Sequence, residues 1–301
     1  MKAYTLSKLE NRIFNTVNLI LMIVIAACML YPFWNTVAIS FNEATDTIRG
    51  GITLLPRRFS LQNYKAVFAS GTIYNAFFIS VARTIINTVT SVFFTSMIAF
   101  ALSRREYIFR KPLTFIIVLS MYINAGLIPT YFLMRNFGLI NSFLVYIVPG
   151  VVSAFNFVVI RTYMRSLPES IIESARIDGC GDFWIFIRII LPLCLPVLAT
   201  VSLFVAVGAW NSWFDTLIYN SGRAYLHTLQ YKLMEFLQSS QTQARSAADV
   251  GAMAMSQSSS MVTPVSIRAA ITVVAALPIL IVYPFMQRYF VVGLNVGGVK
   301  E

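Results

Sequence analysis

Charged side chains are scarce in this sequence. Asp, Glu, Lys and Arg together make up 12% of its 301 residues, whereas 57% are hydrophobic. A soluble globular domain typically carries about 25% charged and about 45–50% apolar residues. The chain therefore has too few polar side chains to cover a soluble fold, and a lipid bilayer is its expected solvent. The net charge of +11 is spread between long apolar runs without a Lys/Arg cluster, which argues against a nucleic-acid-binding protein.

Side chains that usually carry catalysis or bind metals are also few. The sequence has one histidine, His227, and three cysteines, Cys28, Cys180 and Cys194, which form no CxxC pair. It has no G-x-x-x-x-G-K-[ST] phosphate loop, no HExxH and no GxSxG. No pair of carboxylates falls within an apolar run. We therefore predict no catalytic residue, no metal site and no bound cofactor, which disfavours an enzyme of the membrane.

Six long apolar runs dominate the chain. A bilayer core about 30 Å thick requires roughly 20 consecutive, mostly apolar residues in a helix. We predict an all-α polytopic membrane protein with six transmembrane helices, at residues 17–39, 77–102, 113–134, 143–160, 191–214 and 269–287. The first run has no small-residue cleavage site near its end, so we interpret it as a retained span and not as a signal peptide.

The distribution of cationic residues predicts the orientation of these spans. An even number of spans places both termini on one side. With both termini inside, most Lys and Arg residues lie in the short cytoplasmic segments, as the positive-inside rule favours. The expected organisation is a cytoplasmic segment 1–16, a six-span domain 17–291 and a cytoplasmic tail 292–301, in a bacterial-type cytoplasmic membrane. The long outer segment 40–75 is expected to be folded or interfacial, and 220–263 is either a flexible surface loop or a contact for a partner.

The segment between the fourth and fifth runs has the signals of a short cytoplasmic helix. Ser166, with Glu169 three residues later, predicts a capping box, and Pro168 suits the first turn. Gly179 is typical of the residue that follows a helix end, and Asp182 can cap the helix after it. The expected helix lies within residues 166–179.

The side chains of this segment separate by helical spacing. The apolar ones share one face: Leu167, Ile171, Ile172 and Ala175. The charged ones fall on another: Glu169, Glu173 and Arg176. Taken alone, this pattern is equally that of an amphipathic helix lying on the inner leaflet.

Three short blocks in this region have a specific spacing. Glu173-Ser174-Ala175 is followed by Gly179 after three residues and by the block Ile189-Ile-Leu-Pro192 after nine more. This resembles the cytoplasmic EAA loop of ABC-importer permeases, with Ser174 in place of the usual second Ala. Further stretches are similar to the maltose-type carbohydrate branch: 99–104 (AFALSR), 126–131 (GLIPTY), 210–213 (WNSW), 283–290 and 297–300. The GLIPTY version is similar to permeases that import oligosaccharides released from complex polysaccharides.

The resemblance implies a type I ABC importer permease and a set of partners. A second, different permease subunit would pair with this chain, and two cytoplasmic ATPase subunits would hydrolyse ATP with Mg²⁺. An extracytoplasmic binding protein would deliver a sugar or oligosaccharide, with help from loop 220–263. Residues 166–179 would form the coupling helix that docks on the ATPase, with Leu167, Ile171 and Ile172 as apolar anchors. The implied coupling residues are Glu169, Ile171, Ile172, Glu173, Ser174, Ala175, Asp178 and Gly179.

Polar side chains within the spans suggest a solute pathway, because they are costly in lipid and usually face protein or water. The candidates are Trp210, Asn211 and Trp213 in the fifth run and, more weakly, Tyr131, Asn124 and Asn87. The alternative is that the Asn residues bond between helices and the Trp residues anchor at the interface. Arg83, at the start of the second run, is expected to snorkel to the outer interface.

Two other transport functions stay open. An ion-coupled secondary transporter would be expected to show internal repeats and buried ionisable residues, and the sequence displays neither apart from Arg83. An ABC permease for an amino acid or an ion would share the cytoplasmic loop. Only the resemblance of the other stretches to the sugar branch argues against it.

Overall fold

The chain is built from helices, as predicted. The computed structural model describes residues 8–69, 71–238 and 263–295, which contain no strand and only an isolated bridge between Asn42 and Phe59. The α-helices are α1 Lys8–Ser40, α2 Ala44–Ile48, α3 Gln62–Ala69, α4 Thr72–Ser103, α5 Arg110–Leu119, α6 Leu127–Asn136, α7 Ala154–Ser166, α8 Glu169–Ile177, α9 Asp182–Ile185, α10 Leu191–Leu193, α11 Leu195–Asn211, α12 Phe214–Tyr219 and α13 Pro264–Asn295. Short 3₁₀ turns cover Phe143–Tyr146, Val148–Gly150 and Ala224–Leu226, a π-helical turn covers Phe186–Ile190, and residues 229–238 are helical.

Most of the predicted spans have a counterpart of adequate length. Within the described residues, three helices are long and apolar enough to cross a membrane alone: Asn11–Ser40, Thr72–Ser103 and Pro264–Pro284. Two bent pairs each qualify as one span. Phe143–Gly150 and Ala154–Ser166 meet at 47°, and Asp182–Leu193 and Leu195–Asn211 meet at 83°. This gives up to five spans by length and composition.

The third predicted span is not one continuous helix. Residues 113–134 are divided between α5 and α6, and residues 120–126 between them are not helical. Asn124 Oδ1 accepts a hydrogen bond from Gly126 N at 2.9 Å, a local turn that competes with the helix. Pro129 lies in the first turn of α6, where its missing N–H is harmless. The prediction of a single helix is wrong here, because it was based on the length of the apolar run, which gives no information about this turn.

Proline accounts for the two bends. Pro149 and Gly150 precede the bend between the 3₁₀ turns and α7, and Pro192 and Pro196 flank the bend at Cys194. A proline removes one donor from the helical ladder and clashes with the preceding turn. The fourth and fifth predicted spans therefore exist as bent helices. Irregular backbone at membrane depth is tolerated where protein buries it.

The core of the larger compact unit lies where α4, α7 and α11 pack together. This unit comprises Gly71–Glu235 with Ala275–Glu301. The fully buried side chains of its core come from α7, α9 and the π-helical turn as well as from α4 and α11: Ala99, Phe157, Ile160, Met164, Ile185, Phe186, Ile190, Cys194 and Val201. Helix α8 joins this core at one end through Ile172 and Ala175.

The smaller unit comprises Met1–Ser70 with Phe236–Val274, and its segment after α1 is folded. Asn42 is fully buried, and its amide donates to Asp46 Oδ2 at 3.0 Å and accepts from the Arg58 backbone N–H at 2.9 Å. Asn63 donates to the carbonyl oxygens of Ser40 and Asn42 at 2.9 and 2.8 Å. Of the predicted loop 220–263, residues 239–262 lie outside the described residues, as do 1–7 and 296–301 of the predicted cytoplasmic ends.

Candidate functional site

The start of α8 differs from the predicted capping box. Ser166 is the last residue of α7, and its hydroxyl donates to the Tyr163 carbonyl at 2.7 Å. Leu167 and Pro168 are extended, and Pro168 is the N-cap, so α8 begins at Glu169 without a side-chain cap. The capping box is wrong because the preceding helix continues to Ser166 and uses its hydroxyl.

The end of α8 is built as predicted. Gly179 has a φ of +81°, in the left-handed region. An L-residue with a side chain would be strained in this conformation. Its N–H donates to the Arg176 carbonyl at 2.9 Å, and the Cys180 N–H donates to the Ala175 carbonyl at 3.0 Å. These two bonds form a Schellman motif, which satisfies the last carbonyls of the helix and reverses the chain.

One face of α8 is committed to the chain's own core. Ile172 is 3% exposed and Ala175 is 7% exposed, and both belong to the buried cluster with Phe186. Leu167 packs against the same cluster. The prediction that Ile172 is an apolar anchor for a partner is therefore wrong, because this side chain holds the helix to its own protein. Leu167 is half-buried, and its role as an anchor stays a prediction.

The opposite face of α8 is open. Glu173, Ser174 and Asp178 are exposed, and Ile171 is half-buried. Ile177 is 86% exposed, which is unusual for a large apolar side chain beside charged residues. Sequence reasoning missed Ile177, although it lies within the recognised block. The exposed set offers two acidic groups, one small polar group and one apolar group to a partner.

Arg176 fixes α8 to its neighbours. Its guanidinium donates to both carboxylate oxygens of Glu106, at 2.5 and 2.7 Å, and to Asp182 Oδ1 at 3.1 and 3.3 Å. These hydrogen bonds raise the pKa of Arg176, and those to Glu106 have the largest effect. Asp182 lies inside α9, whose N-cap is Gly181, so the predicted capping role of Asp182 is wrong: its carboxylate pairs with Arg176. Glu169 lies 3.6 Å from Arg105 in an exposed pair.

The predicted tryptophan–asparagine group of the fifth span is divided in the structure. Trp210 is buried, and its Nε1 donates to the Ala275 carbonyl at 2.9 Å, so it ties α11 to α13 and is not open to a solute in this conformation. Asn211 is exposed at the end of α11, where its amide donates to the Val207 carbonyl and accepts from Gln230 Nε2 at 3.3 Å. Trp213 is half-buried in the link to α12.

The weaker pathway candidates lie in three different settings. Asn124 forms the turn before α6, as described above. Tyr131 is half-buried, with its ring parallel to that of Tyr219 at 6.2 Å. Asn87 lies against Gly150, where a Cβ atom would come within 3.0 Å of Asn87 Oδ1. This buried oxygen has no hydrogen-bond partner among the described residues.

Arg83 does not snorkel, contrary to the prediction. It is 3% exposed, and its two terminal nitrogens pair with the two carboxylate oxygens of Asp215, Nη1–Oδ1 at 3.2 Å. It also donates to the Ser212 carbonyl at 3.1 Å, and its Cζ lies 4.6 Å from the centroid of the Tyr146 ring. The prediction is wrong because α12 folds back beside α4 and supplies a counter-charge.

A hydrogen-bonded group continues from this ion pair. Tyr146 donates to the Leu226 carbonyl at 2.8 Å and contacts the Thr216 hydroxyl at 3.0 Å, and Thr216 contacts Thr228 at 3.0 Å. The Leu229 N–H donates to Ser80 at 2.8 Å. Together these bonds hold α12 and the 3₁₀ turn Ala224–Leu226 against α4. A signal was present in the sequence, since Asp215 is the only acidic residue between Asp182 and Glu235.

Named relatives and a solved structure match nearly the whole chain. It is 35% identical over 97% of its length to the polygalacturonan/rhamnogalacturonan transport system permease protein YtcP of Bacillus subtilis, all of which is covered. It is 30% identical to the arabinooligosaccharides transport system permease protein AraQ of Halalkalibacterium halodurans, over 92% of this chain and 93% of that protein. A bacterial ABC transporter chain involved in the import of the acidic polysaccharide alginate superimposes with a TM-score of 0.83 at 28% identity, covering 96% of this chain and 100% of that one.

A family model covers α8 and the spans from α4 onwards. It describes the binding-protein-dependent transport system inner membrane component and matches residues 67–295. Members of this family are transport permeases that lie in the membrane and work with other components, and they are not themselves ATPases. The chain therefore belongs to the family of binding-protein-dependent transport system inner membrane components, with the fold of a type I ABC-importer permease.

Proposed function

We propose that the chain is the membrane-spanning permease subunit of an ATP-driven oligosaccharide importer, and that α8 is its docking element for a separate ATPase. The observation that carries the docking assignment is the division of α8 into two faces. Ile172 and Ala175 are buried in the core and hold the helix in place, while Glu173, Ser174 and Ile177 are exposed. A helix held in this way transmits a push from a partner into the spans.

The exposed residues of α8 have distinct roles in this proposal. Glu173 accepts hydrogen bonds from the ATPase, and Ser174 lets that surface approach closely. Ile177 fills an apolar recess in it, in the place that Ile172 was expected to take. Gly179 returns the chain sharply enough to leave the tip of the helix free.

The assembly contains further subunits. A second, different permease completes the pathway, two ATPase subunits hydrolyse ATP with Mg²⁺, and an extracytoplasmic binding protein delivers the solute. Both termini and α8 then lie in the cytoplasm of a bacterial cell, and this chain holds no catalytic group or cofactor. Asn211, Trp213, Tyr131 and Asn87 stay the candidates for the solute pathway, with Trp210 supporting them from the α11–α13 contact.

The names of the relatives support a substrate class. YtcP and the superimposed transporter are named for acidic polysaccharides, polygalacturonan/rhamnogalacturonan and alginate, and AraQ for arabinooligosaccharides. We assign oligosaccharides released from such polysaccharides, with the acidic ones first. Competition between oligogalacturonides and arabinooligosaccharides for the co-purified binding protein separates the two kinds.

The docking assignment is tested with matched variants. Ile177 and Ile108 are almost equally exposed, at 86% and 87%, but only Ile177 lies on α8. Glu173→Arg and Ile177→Ser should release the ATPase during purification from native membranes and abolish ATP-driven uptake in vesicles, whereas Ile108→Ser should change neither. If both α8 variants retain the ATPase and uptake, α8 is not the docking element. Uptake driven by an ion gradient without ATP would instead support a secondary transporter.

A further inference from the structure

Arg83 is a buried cation in the middle of a span. It lies about 16 Å along the helix axis from Thr72, where α4 begins, and it is 3% exposed. A cation at this depth is costly and usually marks the route of a substrate or an ion. Stability alone does not account for it, because an apolar pair of similar volume often stabilises a fold as well as a buried ion pair does.

The guanidinium of Arg83 still has an unused donor. A guanidinium carries N–H groups on each of its nitrogens. Nη1 donates to Asp215 Oδ1 at 3.2 Å and to the Ser212 carbonyl at 3.1 Å, and Nη2 donates to Asp215 Oδ2. Nε is buried and has no hydrogen-bond partner among the described residues. A buried donor without an acceptor is rare in folded proteins, so this one calls for an explanation.

The chemical group that best completes this guanidinium is a carboxylate. The planar fork of a guanidinium binds a carboxylate through two parallel hydrogen bonds. Asp215 takes the edge formed by Nη1 and Nη2, whereas the edge that includes Nε lacks its acceptor. Within the substrate class proposed above, uronic acid units carry a carboxylate and arabinose units do not. The open edge therefore distinguishes the acidic from the neutral oligosaccharides.

Asp215 is bonded in a way that lets it leave Arg83. Its Oδ1 also accepts a hydrogen bond from the Thr216 backbone N–H at 2.9 Å, in the first turn of α12. α12 is six residues long, and Ser212, with a ψ of 124°, separates it from α11 as an extended residue. The carboxylate thus keeps one partner when it turns away from the guanidinium. No long helix has to move for this exchange.

Arg83 is also bonded to the segment that carries the pathway candidates. Ser212, whose carbonyl accepts from Nη1, lies between Asn211 and Trp213. The Asn211 amide accepts from Gln230 Nε2 at 3.3 Å, so amide groups that can bind hydroxyls meet at the end of α11. The buried cation and these amides therefore belong to one stretch of polar groups.

We propose that Arg83 binds the carboxylate of an acidic sugar unit during transport, and that it selects acidic over neutral oligosaccharides. This inference rests on the function proposed above. Asp215 occupies the guanidinium in this conformation and gives way to the carboxylate of the substrate. One anion replaces another, so the buried cation is never left without a counter-charge. A neutral oligosaccharide has no group that can displace Asp215.

The experiment compares two ligands on matched variants of the whole importer, purified in nanodiscs without its binding protein. Labelled trigalacturonate carries a carboxylate on every unit, and arabinotriose is the neutral control. The variants are Arg83→Gln, Asp215→Asn and the double variant, in which neither charge remains. Arg223→Gln is the control for the loss of a positive charge at an exposed position. ATP-driven uptake of both sugars from loaded binding protein is measured on the same set in vesicles.

The two single variants should change trigalacturonate binding in opposite directions. Arg83→Gln should weaken it about tenfold or more, the effect of losing a hydrogen bond to a charged group. Asp215→Asn should tighten it, because the competing carboxylate is gone. The double variant leaves no buried charge unpaired and should still bind as weakly as Arg83→Gln, which separates binding from folding. Arabinotriose should bind equally to all four proteins, and Arg223→Gln should behave as the natural protein.

Equal losses of trigalacturonate binding in Arg83→Gln and Asp215→Asn would overturn the inference, because a purely structural ion pair predicts them. So would a double variant that binds as tightly as the natural protein. A natural importer that takes up arabinotriose but not trigalacturonate would also overturn it, while the proposed oligosaccharide import would stand. The absence of ATP-driven uptake of either sugar would instead overturn the proposed function itself.

Discussion

The ion pair between Arg83 and Asp215 joins α4 to α12, and its removal tests how α12 is held. The Arg83 side chain is 4% exposed and that of Asp215 is 22% exposed, so water screens the pair weakly. Asp215→Asn keeps the shape of the side chain but removes its charge. The guanidinium then retains the Ser212 carbonyl and the Tyr146 ring, without a counter-charge.

The size of the effect follows from these contacts. Breaking a buried ion pair by removing one partner typically costs about 3–5 kcal/mol. The Tyr146 ring still attracts the cation and Asp215 is partly exposed, so we expect the lower end, about 3 kcal/mol. By the scaling for domains of 150–250 residues, this loss corresponds to a Tm lower by roughly 6–12 °C.

The assay is thermal unfolding of the purified full-length chain in nanodiscs, followed by intrinsic fluorescence. Glu43→Gln is the matched control, because it breaks an exposed pair with Arg58 that should contribute little. Combining Arg83→Asp with Asp215→Arg should recover part of the Tm that either single change loses. If Asp215→Asn and Glu43→Gln melt at the same temperature as the natural protein, the pair does not hold α12, and the burial argument fails.

Three further outcomes follow from the same structure. Ile172→Ala should lower the free energy of unfolding by about 2–5 kcal/mol, because Ile172 is in the core, whereas Ile177→Ala should leave Tm unchanged and weaken ATPase association; equal Tm losses would contradict the two-faced helix. Gly179→Ala should cost about 1–2 kcal/mol in chemical unfolding through its φ of +81° alone, since a Cβ there meets no atom within 4 Å, and an unchanged midpoint would mean that the Schellman turn rearranges. The hydrogen bond from Asn42, with the pair to Arg57, lowers the pKa of Asp46. The carboxylate's contribution to the stability of the folded segment is therefore complete above the ordinary carboxyl pKa and is lost as the pH falls through the lowered value. Amide exchange in residues 40–69 should rise in that pH range, and an Asp46→Asn protein should not show this rise.

Much of the architecture could be predicted from composition because lipid imposes a simple rule on a helix. α1, α4 and α13 are long apolar runs, and the predicted spans fall inside them. Pro32 in α1 and Pro278 and Pro284 in α13 do not interrupt these helices. The end of α8 was equally readable, since Gly179 supplies the left-handed residue that the Schellman motif needs. These features are set by residues that are close together in the sequence, so they could be predicted from it.

The features that the sequence did not predict depend on contacts between distant residues. Helical periodicity separates the two faces of α8, but it does not say that Ile172 faces the chain's own core and Ile177 faces outwards. Arg83 was read as a surface cation because its partner, Asp215, lies 132 residues away. The interruption before α6 depends on one hydrogen bond from the Gly126 N–H to the Asn124 side chain, which a search for apolar runs does not register.

The attachment of α8 has a consequence for how the proposed importer couples ATP hydrolysis to movement. Arg176 bonds to Glu106, just after α4, and to Asp182, at the start of α9, while Ile172 is buried in the core that both elements share. A force on Glu173 and Ile177 therefore cannot move α8 alone. Arg176→Gln keeps the buried anchor but releases the two carboxylates, so ATPase subunits should still bind while fewer oligosaccharides are transported per ATP hydrolysed. The ratio of uptake to phosphate release in reconstituted vesicles measures this; a variant with the natural ratio would show that burial of Ile172 alone transmits the force.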